Sequence, residues 1–137
     1  MKYFYPLLEN TLSKEDLLAG INVIKSEQLT MSKKTKKFEK DFAKKIGAKY
    51  ALMVNSGSSA NLLMIASLFF SKNTLYKLNP GDEIIVPALG WSTSYFPLQQ
   101  YNLKLKFVDI DIKTLNYDLE KLHDAVGANT RAILAIN

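Results

Sequence analysis

Two apolar runs of unlike character, joined by a small hydroxyl-rich turn, restrict what this chain can fold into more than any other feature. Tyr50-Ala51-Leu52-Met53-Val54 is short and predicts a buried strand, while the run from Leu62 to Phe70 is long enough for a buried helix. Between them lies Asn55-Ser56-Gly57-Ser58-Ser59-Ala60-Asn61. Strand, small turn and helix together make an anion site. The first N–H groups of the helix have no internal partner, and the helix dipole favours negative charge there. Gly57 allows close approach of a ligand, and Ser58 and Ser59 add hydroxyl donors. The turn is therefore a cradle for a phosphorylated small molecule or a plain helix cap, since serine caps helices with no ligand present. Neither G-x-G-x-x-G nor G-x-x-x-x-G-K-[ST] occurs, which argues against a dinucleotide fingerprint and a P-loop.

Around this unit, helical and strand patterns alternate without a linker or a repeat. Ser13 with Asp16 three places on is close to a capping box, and Leu17, Ile21 and Ile24 mark one face of a first helix. A second helix is expected from about Lys34 to Ile46, ended by Gly47. After the apolar helix and the polar segment Ser71-Lys72-Asn73-Thr74 comes a turn at Asn79-Pro80-Gly81-Asp82. Strands are expected at Glu83 to Val86, Leu103 to Val108 and Arg131 to Ile136, and helices at Ser92 to Tyr101 and Asp118 to Val126. Pro97 would kink the first of these helices or mark its first turn. Strands separated by crossovers of helical length indicate an α/β domain with a mainly parallel sheet. In such sheets ligands sit beyond the C-terminal strand ends. Gly57 and Trp91 each follow an expected strand, so both are expected to face one cleft.

Bulk properties narrow the class further. A chain of 137 residues fits one domain with a real core. It contains no cysteine, which fits a reducing cytoplasm and removes disulfide, thiolate and Cys-metal chemistry. Met1-Lys2-Tyr3-Phe4-Tyr5-Pro6 lacks a continuous apolar core for a signal peptide, and no apolar run reaches membrane-spanning length. Part of the net charge of +5 sits in Lys33-Lys34-Thr35-Lys36-Lys37. Such a cluster can bind nucleic acid or an anionic membrane. Here it leads into Phe38, Phe42 and Ile46 on one helical face, so it reads as the solvated side of an amphipathic helix, with no nucleic acid and no membrane as partner.

Other chemistry-bearing residues weigh less. Asp109 and Asp111 share one side of an extended segment, as a metal-binding or acid–base pair would, but the segment offers few further oxygen ligands. Solvated aspartates at a strand end are the plainer reading. His123, the single histidine, is expected on a helix surface, and no second histidine is available to activate Ser58 or Ser59 as a hydrolase nucleophile.

The run Met53 to Leu63 resembles the phosphate loop of the DegT/StrS-type sugar aminotransferase family, whose cofactor is pyridoxal 5'-phosphate (PLP). The blocks Pro80-Gly81-Asp82-Glu83-Ile84-Ile85-Val86-Pro87, Trp91-Ser92-Thr93-Ser94, Phe107-Val108-Asp109-Ile110-Asp111 and Thr130 to Asn137 are similar to that family in order and spacing. So are Tyr5-Pro6-Leu7, Leu29-Thr30-Met31 and Phe38-Glu39. The resemblance implies a three-layer α/β fold, the large domain of a PLP-dependent transferase, truncated. Residues 1–47 would be N-terminal helices and 48–137 the start of the large domain. It also implies that Gly57, Ser58 and Ser59 anchor the cofactor phosphate and that Trp91 stacks on its ring. Trp91 as a core or interface residue is the alternative.

The implied reaction is amino transfer, usually from glutamate, to a ketosugar carried on a nucleotide, for surface-polysaccharide synthesis by a cytoplasmic homodimer. No lysine here matches the family's Schiff-base motif, so no catalytic residue is assigned. That residue is expected beyond Asn137, and this stretch alone should not transaminate. A branch of the same family with histidine in place of that lysine is a nucleotide-sugar 3-dehydratase. The Ser-Gly-Ser-Ser-Ala-Asn turn and the spacer from Lys72 to Leu78 look like that branch. A non-catalytic phosphate- or nucleotide-binding module is the remaining alternative.

Overall fold

A computed structural model describes residues 11–30 and 32–136 of the chain. The opening Met1–Pro6, Tyr5-Pro6-Leu7, Met31 and Asn137 lie outside the described residues. The chain divides into two compact units, one ending at Met53 and one beginning at Val54.

In the first unit, α1 spans Lys14–Lys25 and α2 spans Lys33–Ile46. Ser13 forms the full capping box, its hydroxyl accepting from the Asp16 N–H while the Asp16 carboxylate accepts from the Ser13 N–H. Gly47 ends α2 with φ of 71°, a left-handed conformation in which a side chain would be strained. Phe38 and Phe42 stack one turn apart with ring centroids at 5.6 Å. The apolar faces are nonetheless uncovered: Leu17, Ile21, Ile24, Phe38, Phe42 and Ile46 are all exposed. The lysines of α2 are exposed as expected, with Lys37 paired to Asp41 across one turn.

Tyr50–Val54 is not a strand. A strand exists only with a neighbour to take its ladder bonds. The described sheet has three strands, and this segment pairs with none of them. Leu52 and Met53 are exposed, and the Met53 N–H donates to the Glu39 carboxylate at 2.9 Å instead.

The second unit is built on β1 (Glu83–Pro87), β2 (Lys104–Val108) and β3 (Thr130–Ile133), all parallel, in the order β2-β1-β3. Ile84 pairs with Leu105 and Ile85 with Lys106, so these pairs stand on opposite faces. On the Ile84 face, Val86 and Ile84 pack with Ile65 of α3 (Gly57–Phe69) and Leu98 of α4 (Ser92–Gln100), together with Leu78 and Leu103. On the Ile85 face, the Lys106 ammonium donates to the Ala125 carbonyl of α5 (Leu119–Ala125) at 2.7 Å. Helices thus cover both faces of a parallel sheet, a three-layer α/β arrangement as expected.

Helix α3 is less buried than its composition suggests. Ile65 is its one buried residue, and Leu62, Leu63 and Met64 remain exposed. A helix apolar on all sides needs packing on all sides, and the described residues cover only its sheet-facing stripe. At the start of β1, Gly81 takes φ of 91° in a turn closed by bonds between Asn79 and Asp82, and its N–H donates to the Asn102 carbonyl at 2.7 Å.

Candidate functional site

Strand order reverses at β1, with β2 on one side and β3 on the other. The crevice beyond the carboxyl end of such a strand is where ligands bind in open α/β sheets. The chain leaving β1 through Ala88, Leu89 and Gly90 reaches Trp91, the N-cap of α4. Trp91 is 75% exposed, so it is not a core residue of this unit. Gly57 opens α3 but follows an extended segment outside the sheet, so only Trp91 stands at an observed strand end.

The α3 N-terminus has a donor set suited to a phosphate. Ser56 is the N-cap, its hydroxyl accepting from the Ser59 N–H at 3.2 Å. The N–H groups of Gly57 and Ser58, the first two helical residues, have no acceptor within the helix. Among the described residues, and beyond the adjoining backbone of α3 itself, no atom lies within 4 Å of where a Cβ on Gly57 would stand, so packing does not demand glycine there. The Ser58 side chain is exposed, and the first turn contains no acidic residue to compete with an anion. Ser59 differs from Ser58. Its hydroxyl donates to the Asn55 side-chain oxygen at 2.7 Å, so an incoming anion has to displace that acceptor to gain the proton.

The N-terminal turns of α3 and α4 lie together. Ser58, Ser59 and Leu62 share a cleft of about 200 Å³ with Thr93, Phe96, Pro97 and Gln100. The Asn61 side-chain amide donates across the same junction to the Thr93 carbonyl at 3.4 Å. Pro97 neither opens α4 nor sits in its first turn; it lies inside the helix, where its missing N–H leaves the Thr93 carbonyl without its usual partner. Asn61 takes that place.

Sequence reading missed Asn61, Gly90, Thr93 and Tyr95. Two signals were present: a glycine directly before the strand-end tryptophan, and a proline where a helix interior should be. The Tyr95 hydroxyl donates to the Pro87 carbonyl at 2.8 Å, and burial raises its pKa. Tyr117 reaches the carbonyls of Leu134 at 2.9 Å and Ile85 at 3.3 Å. Its pKa is pushed up to about 12, first by burial and then by Tyr95.

The aspartate pair serves local structure. Asp109 accepts from the Ile110 N–H and pairs with Lys121 at 3.1 Å; these contacts hold its carboxyl below the usual range. Asp111 accepts from the Lys113 N–H at 2.6 Å and caps the turn that follows. His123 is on the surface of α5 beside Asp124. No helix among the described residues is long and apolar enough to cross a membrane.

Comparison with known proteins follows the same lines. The chain is 55% identical over 133 residues to GDP-4-keto-6-deoxy-D-mannose 3-dehydratase of Yersinia pseudotuberculosis, covering 97% of this chain and 33% of that protein. It superposes with a TM-score of 0.89 on the Escherichia coli GDP-4-keto-6-deoxy-D-mannose 3-dehydratase solved with bound hydrated PLP. That match is also at 55% identity, covering 97% of this chain and 34% of that one. A putative sugar aminotransferase of Streptococcus pneumoniae shares the fold at a TM-score of 0.78 and 24% identity, covering 96% of this chain and 31% of its own. The chain therefore spans about a third of the length of the curated relatives it matches. The profile of one family matches residues 10–137, and this chain belongs to it: the DegT/DnrJ/EryC1/StrS aminotransferase family.

Proposed function

We propose that the polypeptide carrying this sequence is a PLP-dependent nucleotide-sugar 3-dehydratase acting on a GDP-linked 4-keto-6-deoxy sugar. The observation that carries this reading is the 55% identity to two GDP-4-keto-6-deoxy-D-mannose 3-dehydratases across 97% of the chain. The donor set at α3 fits the cofactor: two N–H groups without a helical acceptor, a serine hydroxyl beside them and open space over Gly57.

In this reading Gly57 and Ser58 take the cofactor phosphate. Ser59 joins them by exchanging Asn55 for a phosphate oxygen. Trp91, exposed at the end of β1, covers one face of the pyridine ring and keeps it flat against the site. PLP, when bound, supplies an electron sink for bonds next to the reacting nitrogen. The residue at the Schiff-base position falls outside this sequence and is expected to be histidine. The uncovered apolar faces of α1 and α2 support assembly with further protein surface, as in a cytoplasmic homodimer.

Amino transfer to the same class of sugar is the competing reading, favoured by the family to which the chain belongs. The two reactions differ in the fate of nitrogen. A dehydration that ends as a 3-deoxy ketone releases the donor's nitrogen as ammonia, whereas amino transfer keeps it on the sugar. The test incubates the polypeptide with PLP, glutamate and GDP-4-keto-6-deoxymannose, then measures ammonia and the mass of the nucleotide sugar. Ammonia with loss of the C3 oxygen supports dehydration; an amine on the sugar without ammonia establishes amino transfer instead. No turnover, with nucleotides bound more tightly than PLP, would leave only a binding module.

A further inference from the structure

We propose that Tyr95 is a positioning residue that fixes Trp91 from behind through a clamp on the β1–α4 loop. The proposal rests on the reading of Trp91 as the ring-stacking residue. Four contacts make the clamp. The Tyr95 hydroxyl donates to the Pro87 carbonyl, the last residue of β1, at 2.8 Å. Its ring meets the Phe107 ring of β2 edge-on, with centroids 5.9 Å apart and planes at 79°. The Ala88 N–H donates to the Val108 carbonyl at 2.8 Å, carrying the sheet ladder one residue into the loop. The Tyr95 hydroxyl also occupies the space that a Cβ on Gly90 would need, with Ile136 Cδ1 close on the same side.

Gly90 is therefore required for space rather than for backbone freedom, and it directly precedes Trp91. The loop has four residues, Ala88 to Trp91, between a strand end and a helix start. Its lower side rests on Tyr95 at Gly90, so the place of Trp91 follows from the place of the Tyr95 ring. The Trp91 carbonyl accepts from the Ser94 N–H at 2.9 Å, which ties its backbone to α4, while its side chain makes no capping bond and is largely exposed. A ring that stacks on a flat cofactor has to be held in one plane before the cofactor arrives, or its ordering subtracts from affinity. Tyr95 supplies that order without touching the ligand.

The test uses the intact polypeptide with Tyr95→Phe, which keeps the ring and removes the hydrogen bond, and Gly90→Ala, which pushes on the ring from the loop. Trp91→Ala is the control for the stacking reading. Three quantities are read: PLP affinity, the induced circular dichroism of the bound cofactor, and inhibition of PLP binding by inorganic phosphate. Tyr95→Phe is expected to weaken PLP by about three- to tenfold and to reduce the induced dichroism at saturation. The phosphate inhibition constant should be unchanged, because the α3 cradle is untouched. Gly90→Ala should show the same pattern, more strongly. A merely structural tyrosine would lower the melting temperature and leave the dichroism of the saturated cofactor as in the parent. If Trp91→Ala weakens PLP while both clamp variants bind it with parental dichroism, the clamp is overturned. If Trp91→Ala itself leaves affinity and dichroism unchanged, the stacking role falls, and the clamp with it.

Discussion

The side-chain amide of Asn61 occupies the place of a missing backbone donor: it points at the Thr93 carbonyl, 3.4 Å away, which Pro97 leaves without its helical partner. A proline inside a helix costs a hydrogen bond and normally breaks the rod. Here the vacancy becomes a tie between the N-terminal turns of α3 and α4, the two turns that carry Gly57 and Trp91. In the proposed site a rigid ligand gripped at both ends would need their spacing fixed, and this contact would help to fix it.

Asn61→Ala should therefore destabilise the protein by about 0.5–1 kcal/mol, the modest end expected for a long bond to a partly buried carbonyl. The informative comparison is with Pro97→Ala, which restores an N–H four residues after Thr93. In that background Asn61→Ala should cost less. Urea unfolding of the two single variants and the double variant measures the coupling. Strict additivity would mean that Asn61 does not serve the carbonyl that proline frees.

Much of this architecture was legible in the sequence, for local reasons. The capping box at Ser13, the left-handed Gly47 and the turn at Gly81 are set by residues within a few positions of one another. The three observed strands lie where β-branched and apolar runs predict them. Tyr50–Val54 failed because an apolar run states only that a segment wants a partner, and pairing is decided by distant chain. The buried character expected of α3 failed for the same reason, since its outward stripe of Leu63 and Met64 meets no second layer among the described residues. Ser58 and Ser59 looked equivalent as neighbouring hydroxyls. They are not, because Asn55, four residues upstream, accepts from only one of them. Gly90 and Tyr95 could not be paired from sequence, since the space between them is defined by the strand beneath.

Tyr117 should make stability fall in alkali. Its hydroxyl is a donor at the junction of β1 with the segment after β3, so folding favours the neutral phenol. The folded pKa is about 12 against an ordinary value of 10.0, so the folded protein holds the proton more tightly than the unfolded chain does. The contribution is fully present below pH 10 and is lost as pH rises through 10 towards 12. Urea unfolding from pH 8 upward should give a plateau followed by a decline, the chosen pH values being roughly spaced around the phenol range. Tyr117→Phe should lower the plateau by about 1 kcal/mol and flatten the decline. A Tyr117→Phe curve parallel to the parent across that window would assign the titration elsewhere, with Tyr95 the next group to vary.

Gly57 should separate stability from binding. It is the first residue of a 13-residue helix, none of the described residues beyond the adjoining backbone comes within 4 Å of its missing Cβ, and the first turn has no acidic residue. An aspartate there meets no steric obstacle and sits at the positive end of the helix dipole. Gly57→Asp should then stabilise the protein by about 0.3–1 kcal/mol. The same carboxylate would stand where the cofactor phosphate is proposed to lie and would repel it at close range. A rise in melting temperature together with loss of PLP binding is the expected outcome, checked by thermal unfolding without cofactor and by spectroscopic titration with it. Retained PLP affinity in a stabilised Gly57→Asp protein would show that the phosphate is held elsewhere. Loss of both stability and binding would instead assign the glycine to a backbone role that its geometry does not require.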